Sequence, residues 1–275
     1  MPIVQMHDYL RRKDELHILL EVCRGGDLRK LYGVETGNGL LPYGSQVHTT
    51  FHVACAAVAV DHLHRRWFIH RDVKPENLLM DGRGYVKLTD MGFAKQVTED
   101  PRQGHEDMKI KTPAVCASQL KRFKLGAPRF QIHVLKLVLT CFSCEEKPFV
   151  SKSCGSVAYM APEMFIQGGV HDRAVDWWAL GIVLFQLSFG RTPFGGSTPQ
   201  TQAQRIWRGL RDSCFPADQC SQSLRTTVEE LLKKDPAERL PMKGLRALEA
   251  SAFFQDLDWP ALKEQTLVPP FRPQH

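Results

Sequence analysis

His70-Arg71-Asp72-Val73-Lys74-Pro75-Glu76-Asn77, followed further on by Asp90-Met91-Gly92, is the stretch that decides how this sequence is read. Asp72 and Asp90 are carboxylates on loops at strand ends, with a lysine (Lys74) and an amide (Asn77) between them. Hard oxygen ligands such as Asp90 and Asn77 suit Mg²⁺, which takes one or two protein ligands beside phosphate oxygens. A lysine near that ion would neutralise a transferring phosphoryl group, and a second carboxylate could accept a hydroxyl proton. An isolated Asp-x-Lys is ordinarily a solvated turn with a surface ion pair. Here the two loops flank a hairpin turn, Asp81-Gly82-Arg83-Gly84, and that context favours a built site.

Outward from this stretch, the pattern predicts short strands at Leu78–Met80 and Tyr85–Leu88. Upstream, Val47, Phe51, Ala54, Cys55, Val58 and Leu63 recur at three- and four-residue spacing, which predicts a helix over 45–65 with one buried face. Before it, strands are expected around Ile3–Tyr9 and Leu16–Val22, joined by the polar turn Arg11-Arg12-Lys13-Asp14. Gly25-Gly26 breaks the chain there, and Asp27 can cap a short helix through Tyr32. Downstream, 174–188 is apolar nearly all round and belongs at the centre of a core. The remainder reads as helical, with stops at Pro216, Asp235-Pro236 and Pro241, and no internal repeat.

The motifs in this order resemble the eukaryotic protein kinases, whose pattern is H-R-D-L-x-x-x-N, then D-F-G, then A-P-E. The last is present as Ala161-Pro162-Glu163. Gly92-Phe93-Ala94-Lys95, Cys154-Gly155-Ser156, Val175 through Gly181 and Asp235 through Leu240 look like the cyclic-nucleotide-dependent kinases of the AGC group. Glu21 through Leu28 and Arg208-Gly209-Leu210 lean toward the cGMP-dependent branch. The resemblance covers 1–97 and 151–273. It implies an α+β, protein-kinase-like fold: a mainly helical large lobe with about two strands of the small-lobe sheet. The expected division is 1–24 as small-lobe remnant and hinge, 25–258 as large lobe, and 259–275 as the start of the tail.

By position, the resemblance implies transfer of the ATP γ-phosphoryl group to serine or threonine, with ATP and Mg²⁺ as cofactors. Asp72 would orient and deprotonate the acceptor hydroxyl, Lys74 would meet the γ-phosphate, and Asn77 and Asp90 would hold Mg²⁺. Ser156 would bond the catalytic Asp and Lys. Glu21 to Cys23 would form the hinge that meets adenine, with Asp27 near the ribose. Asp27 and Glu76 match acids that read arginines upstream of the acceptor, while a third such acid is Gln186 here. The partner implied is therefore a protein substrate with basic residues, and a cyclic-nucleotide-binding domain upstream of Met1 is a further expectation. Arg71, Glu163, Asp176 and Arg239 fall at structural or regulatory positions, Glu163 and Arg239 as a buried ion pair.

The sequence also departs from that pattern. It starts where the family's fourth strand begins, so the expectation is an N-terminally truncated chain without the Gly-rich loop, the strand lysine or its helix glutamate, and with weak or no activity alone. No other Gly-x-Gly-x-x-Gly occurs. Residues 98–150 have neither clear caps nor sustained periodicity, and carry nine Lys/Arg against six Asp/Glu. This stretch reads as an insertion in the activation segment, a disordered segment, or sequence foreign to the mature protein. Lys152 stands where relatives carry a phosphorylated threonine, with Ser151 and Ser153 beside it. Met91 replaces a phenylalanine and is expected to fill a similar apolar volume. The alternative reading is a catalytically dead binding module, with a metal-dependent hydrolase a distant third.

Composition agrees with a globular chain. The 275 residues are 43% apolar and 24% charged, with a net charge of +6 spread along the chain. That excludes a basic nucleic-acid arm, and no apolar run reaches the length of a membrane span. Eight scattered cysteines form no disulfide framework, and only Cys141-x-x-Cys144 has metal-like spacing; reduced thiols in a cytoplasmic protein are expected. His62, His64 and His70 resemble a metal cluster by count, but are expected to diverge.

Overall fold

The structure, a computed structural model, describes residues 1–12, 15–33, 41–97, 110–111, 134–138, 157–166, 170–216, 220–240 and 244–274. Strands β1 (Met6–Arg12) and β2 (Glu15–Leu20) pair antiparallel, with Tyr9 opposite Ile18 and Leu10 opposite His17. All of β1 is exposed, and its strand continues through Arg11 and Arg12, where the sequence suggested a turn. Residues 2–4 reach back to the large lobe, where the Val4 amide donates to the Leu88 carbonyl at 2.9 Å.

After β2 come β3 (Gly26–Asp27) and the short helix α1 (Leu28–Leu31), capped as expected by Asp27. Helix α2 (Gln46–His64) follows. The one-face expectation for α2 is corrected: every residue from Phe51 to Ala57 is buried, while Val47, assigned to the buried face, is 67% exposed. The reason is tertiary. Helix α2 lies against α3 (Ala174–Phe189), β6 (Val86–Leu88), α6 (Leu245–Glu249) and α7 (Trp259–Glu264), so most of its circumference is covered.

Between α2 and α3 run β4 (Phe68–Ile69), the hairpin β5 (Leu78–Met80) and β6, and β7 (Lys95–Gln96). Strands β3, β5 and β6 form one small sheet, and β4 pairs with β7. The stretch 98–150 contributes backbone at two places. Strand β8 (Ile110–Lys111) pairs with β10 (Val170–His171), and β9 (Val134–Val138) pairs antiparallel with β2. The small-lobe sheet therefore has the order β1-β2-β9: two strands come from the start of the chain, and a third from a segment whose sequence suggested no element.

Helix α3 is the centre of the large lobe, as its all-round apolar character predicts. Every residue from Ala174 to Ser188 is buried, and Gly190 ends the helix in a left-handed conformation at φ 72°. Fully burying a Leu, Ile or Phe is worth about 1.5–3 kcal/mol each, so this helix supplies much of the core. Helices α4 (Pro199–Arg208) and α5 (Gln222–Leu231) complete the lobe. The tail packs on the β5–β6 turn. Gly84 sits at φ 97°, and a Cβ there would lie 2.1 Å from the Phe271 carbonyl oxygen; the Tyr85 hydroxyl donates to the Leu267 carbonyl at 2.5 Å. Among the described residues no helix is long and apolar enough to cross a membrane. Cys23, Cys55, Cys214 and Cys220 are free thiols, while Cys116, Cys141, Cys144 and Cys154 lie outside the described residues.

Candidate active site

The loop from His70 to Asn77 leaves β4 and enters β5 through a tight turn at Pro75–Asn77, where Pro75 at the start supplies a fixed φ. Asp72 and Asn77 are both buried. Lys74 Nζ stands 2.6 Å from Asp72 Oδ2, and Asn77 Nδ2 donates to the same oxygen at 2.9 Å and to the Asp72 carbonyl at 2.8 Å. Three of the expected site residues thus meet at one carboxylate. Asp90 lies at the end of β6 in a left-handed conformation, φ 65°, with Oδ1 accepting from the Gly92 amide at 3.2 Å.

The loop is shaped from beneath by Asp176 in the first turn of α3. Its Oδ1 accepts from the Arg71 amide at 2.7 Å; its Oδ2 accepts from the His70 amide at 2.9 Å and faces His64 Nε2 at 2.8 Å. Burial works to raise the Asp176 pKa, but the hydrogen bond and charge of His64, with His70 beside it, hold the group below its ordinary value. Arg71 has φ 67°, a conformation costly for a branched-free but bulky side chain, and its Nε donates to the Phe93 carbonyl at 2.7 Å. These contacts hold the strained residue and also tie the loop to the Asp90 segment. The His64 and His70 rings diverge, as expected: His64 Nε2 faces Asp176 Oδ2 at 2.8 Å and His70 Nε2 faces the Thr89 carbonyl at 3.0 Å, and only the His70 backbone amide shares Asp176 with His64. Among the described residues no group of three His, Cys, Asp or Glu could hold a metal ion.

The other expected residues are placed as follows. The Glu21 carboxylate binds Lys87 Nζ at 2.7 and 2.8 Å and accepts from the Gln5 amide at 2.8 Å. Cys23 is buried, and burial, with Glu21 nearby, pushes its thiol up to about 11. Asp27 caps α1 through the Lys30 amide at 3.0 Å and pairs with Lys30 Nζ at 3.0 Å. Glu76 pairs with Arg29 at 3.3 Å. Glu163 and Arg239 form a two-pronged buried pair at 2.8 and 3.1 Å; Arg239 also donates to the Ala174 carbonyl at 2.7 Å and lies over the Trp178 ring. Met91 is 37% exposed and fills no core pocket, a correction to its reading as a packed substitute. Ser156, Lys152, Ser151 and Ser153 lie outside the described residues.

The oxygen set fits Mg²⁺ with a nucleotide phosphate. Asn77 commits its Nδ2 hydrogens to Asp72, which leaves Oδ1 as an acceptor, and Asp90 uses one oxygen on Gly92. The Lys87–Glu21 and Arg29–Glu76 pairs are missed by sequence reasoning, since only the folded chain brings those charges together.

A protein kinase domain model matches residues 1–119 and 139–250. The chain is 30% identical over 273 residues to cGMP-dependent protein kinase, isozyme 1, of Drosophila melanogaster, covering 98% of this chain and 28% of that protein. It is 27% identical over 271 residues to ribosomal protein S6 kinase alpha-6 of Mus musculus, covering 98% and 28% respectively. With the serine/threonine-protein kinase tricornered of Drosophila pseudoobscura pseudoobscura it shares 26% over 274 residues, covering 98% and 56%. The chain spans under a third of the first two relatives and just over half of the third. The matched domain takes in the loop around Asp72, the Asp90 turn and the Glu163–Arg239 pair, and the chain belongs to the protein kinase domain family.

Proposed function

We propose that this domain serves a serine/threonine protein kinase, moving the γ-phosphoryl group of ATP to a hydroxyl on a protein segment. The observation that carries the reading is the Asp72 carboxylate, buried and held by Lys74 at 2.6 Å and Asn77 at 2.9 Å. Asp72 orients the acceptor hydroxyl and takes its proton as the oxygen attacks. Lys74, beside that carboxylate, offsets negative charge on the transferring group. Asn77 and Asp90 are the residues that would hold Mg²⁺, which supplies charge neutralisation between the phosphates when bound. Glu21 to Cys23 is the stretch assigned to adenine and Asp27 the carboxylate assigned to the ribose, while Ser156 is assigned to Asp72 and Lys74.

The division at 24 and 258, the cytoplasmic location and a cyclic-nucleotide-binding partner domain are carried over as part of the same proposal. Turnover by this chain alone is expected to be low. Losing one preorganised donor costs roughly 10²–10³ in rate, and this sequence has no Gly-x-Gly-x-x-Gly to cover the phosphates. The alternative reading is a binding module without catalysis.

A melting curve with and without Mg-ATP separates the two, followed by transfer of labelled phosphate to a serine peptide library. Ligand at about 100 times Kd stabilises by about 2.7 kcal/mol. A melting point unmoved by Mg-ATP, with no labelled peptide, leaves the binding module standing.

A further inference from the structure

The Arg29–Glu76 pair stands beside the catalytic loop, and the proposed chemistry makes no use of it. Glu76 shares its turn with Asn77, whose amide holds Asp72. One Glu76 oxygen lies 3.3 Å from the Arg29 guanidinium; the other, Oε2, is buried without a hydrogen-bond partner among the described residues. Asp27 is engaged twice by Lys30, at its amide and at its ammonium. Gln186, which carries no charge, accepts from the Tyr159 hydroxyl at 2.6 Å. Tyr159 in turn feels the charges of both Glu76 and Arg29, so Glu76, Arg29, Tyr159 and Gln186 are neighbours.

The charges on this face cancel: Asp27 and Glu76 against Arg29 and Lys30, with Gln186 neutral. A guanidinium arriving at Glu76 meets a carboxylate already engaged. Pulling Arg29 off costs little, because its side chain is 54% exposed and exposed ion pairs are weak. Arg29 stays tethered to α1, however, and its charge remains to repel an incoming cation. The buried Glu76 oxygen still calls for a donor, which a neutral N–H or O–H supplies without adding like charge.

We propose that Arg29 is a specificity-determining residue: with Lys30 and Gln186 it removes net negative charge beside Asp72, so that the chain accepts protein segments with uncharged polar residues ahead of the acceptor as readily as segments with arginine. The inference rests on the kinase reading for the course of the substrate past Asp72, and departs from the basic-substrate expectation drawn from resemblance.

The test is binding, which does not require turnover. Two labelled peptides carry alanine in place of the acceptor serine, one with upstream arginines and one with glutamines. Fluorescence anisotropy at low salt is measured for the wild-type chain and for Arg29→Ala, a substitution at an exposed position whose folding is checked by circular dichroism. The wild type is expected to bind both peptides within about threefold. Arg29→Ala is expected to gain about tenfold for the arginine peptide alone, a gain that added salt erases. A wild-type preference of tenfold for arginine overturns the proposal, and so does an unchanged ratio in Arg29→Ala, including no binding in either protein. The serine versions with Mg-ATP keep the two readings apart: the expected binding pattern with neither phosphate transfer nor a melting point raised by Mg-ATP overturns the kinase reading and leaves the peptide-binding pattern intact.

Discussion

Lys87 Nζ lies 2.7 and 2.8 Å from the two carboxylate oxygens of Glu21, so the strand leading to Asp90 is tied to the segment that follows β2. Lys87 is buried, whereas the Glu21 side chain is partly exposed. Lys87→Met leaves Glu21 with the Gln5 amide and no cation. A fully buried pair broken in this way costs about 3–5 kcal/mol. Partial exposure of Glu21 reduces that here to about 1–3 kcal/mol, read as a lower urea midpoint with unchanged slope.

Arg239→Ala has a larger expected effect, because Glu163 is buried and the Ala174 carbonyl loses one of its donors as well. The expected loss is about 3–5 kcal/mol in urea unfolding. Replacing both members, Glu163→Leu with Arg239→Met, should cost less than Arg239→Ala alone, since no charge is then stranded. A double variant as unstable as the single one argues that packing, and not charge, sets the cost.

His52 gives the fold a pH dependence. Burial, with His48 next to it, pushes its imidazole from 6.5 down to about 3, while the unfolded chain takes a proton near the ordinary value. Between those values the unfolded state holds more protons, so stability falls as pH drops, by up to about 1.4 kcal/mol per unit. Asp176, held below the usual carboxylate range, adds its loss only at lower pH, as its own carboxyl protonates. His52→Gln should flatten the stability profile between pH 6 and 4; a slope that stays the same points to other groups.

Gly84→Ala places a methyl group against the Phe271 carbonyl and Pro269 in a backbone conformation that disfavours any side chain. The expected cost is about 1–3 kcal/mol, with the residues after Leu267 becoming sensitive to protease before the rest of the chain unfolds. Cleavage no earlier than in wild type would show that the tail is held elsewhere.

Asp72→Asn removes the proton acceptor while keeping a group of the same size. Phosphoryl transfer is expected to fall by about 10²–10⁴-fold. Mg-ATP should still raise the melting point, because Asn77 and Asp90 are untouched. Equal loss of binding and transfer would mean that Asp72 acts on the nucleotide and not on the acceptor.

The loop around Asp72 is legible in the sequence because its chemistry is local: Asp72, Lys74 and Asn77 lie within six residues and meet at one oxygen. The all-apolar pattern of α3 is legible for a similar reason, since period and burial agree along one element. Helix α2 is harder, because a three-four pattern reports one face and says nothing of the neighbours that cover the others. The Arg29–Glu76 and Lys87–Glu21 pairs leave no periodic trace at all. The third strand of the small-lobe sheet, β9, is equally silent, as VLKLV shows no alternation and finds its partner far away in the chain.

Asp176 receives the amides of His70 and Arg71 and the ring of His64, all from within the large lobe. The geometry that presents Asp72 is therefore inherited from helix α3, and owes nothing to whatever closes over the nucleotide. Chemistry and cover are separable inheritances in this fold: one can be lost, swapped or supplied by another chain while the other keeps its shape.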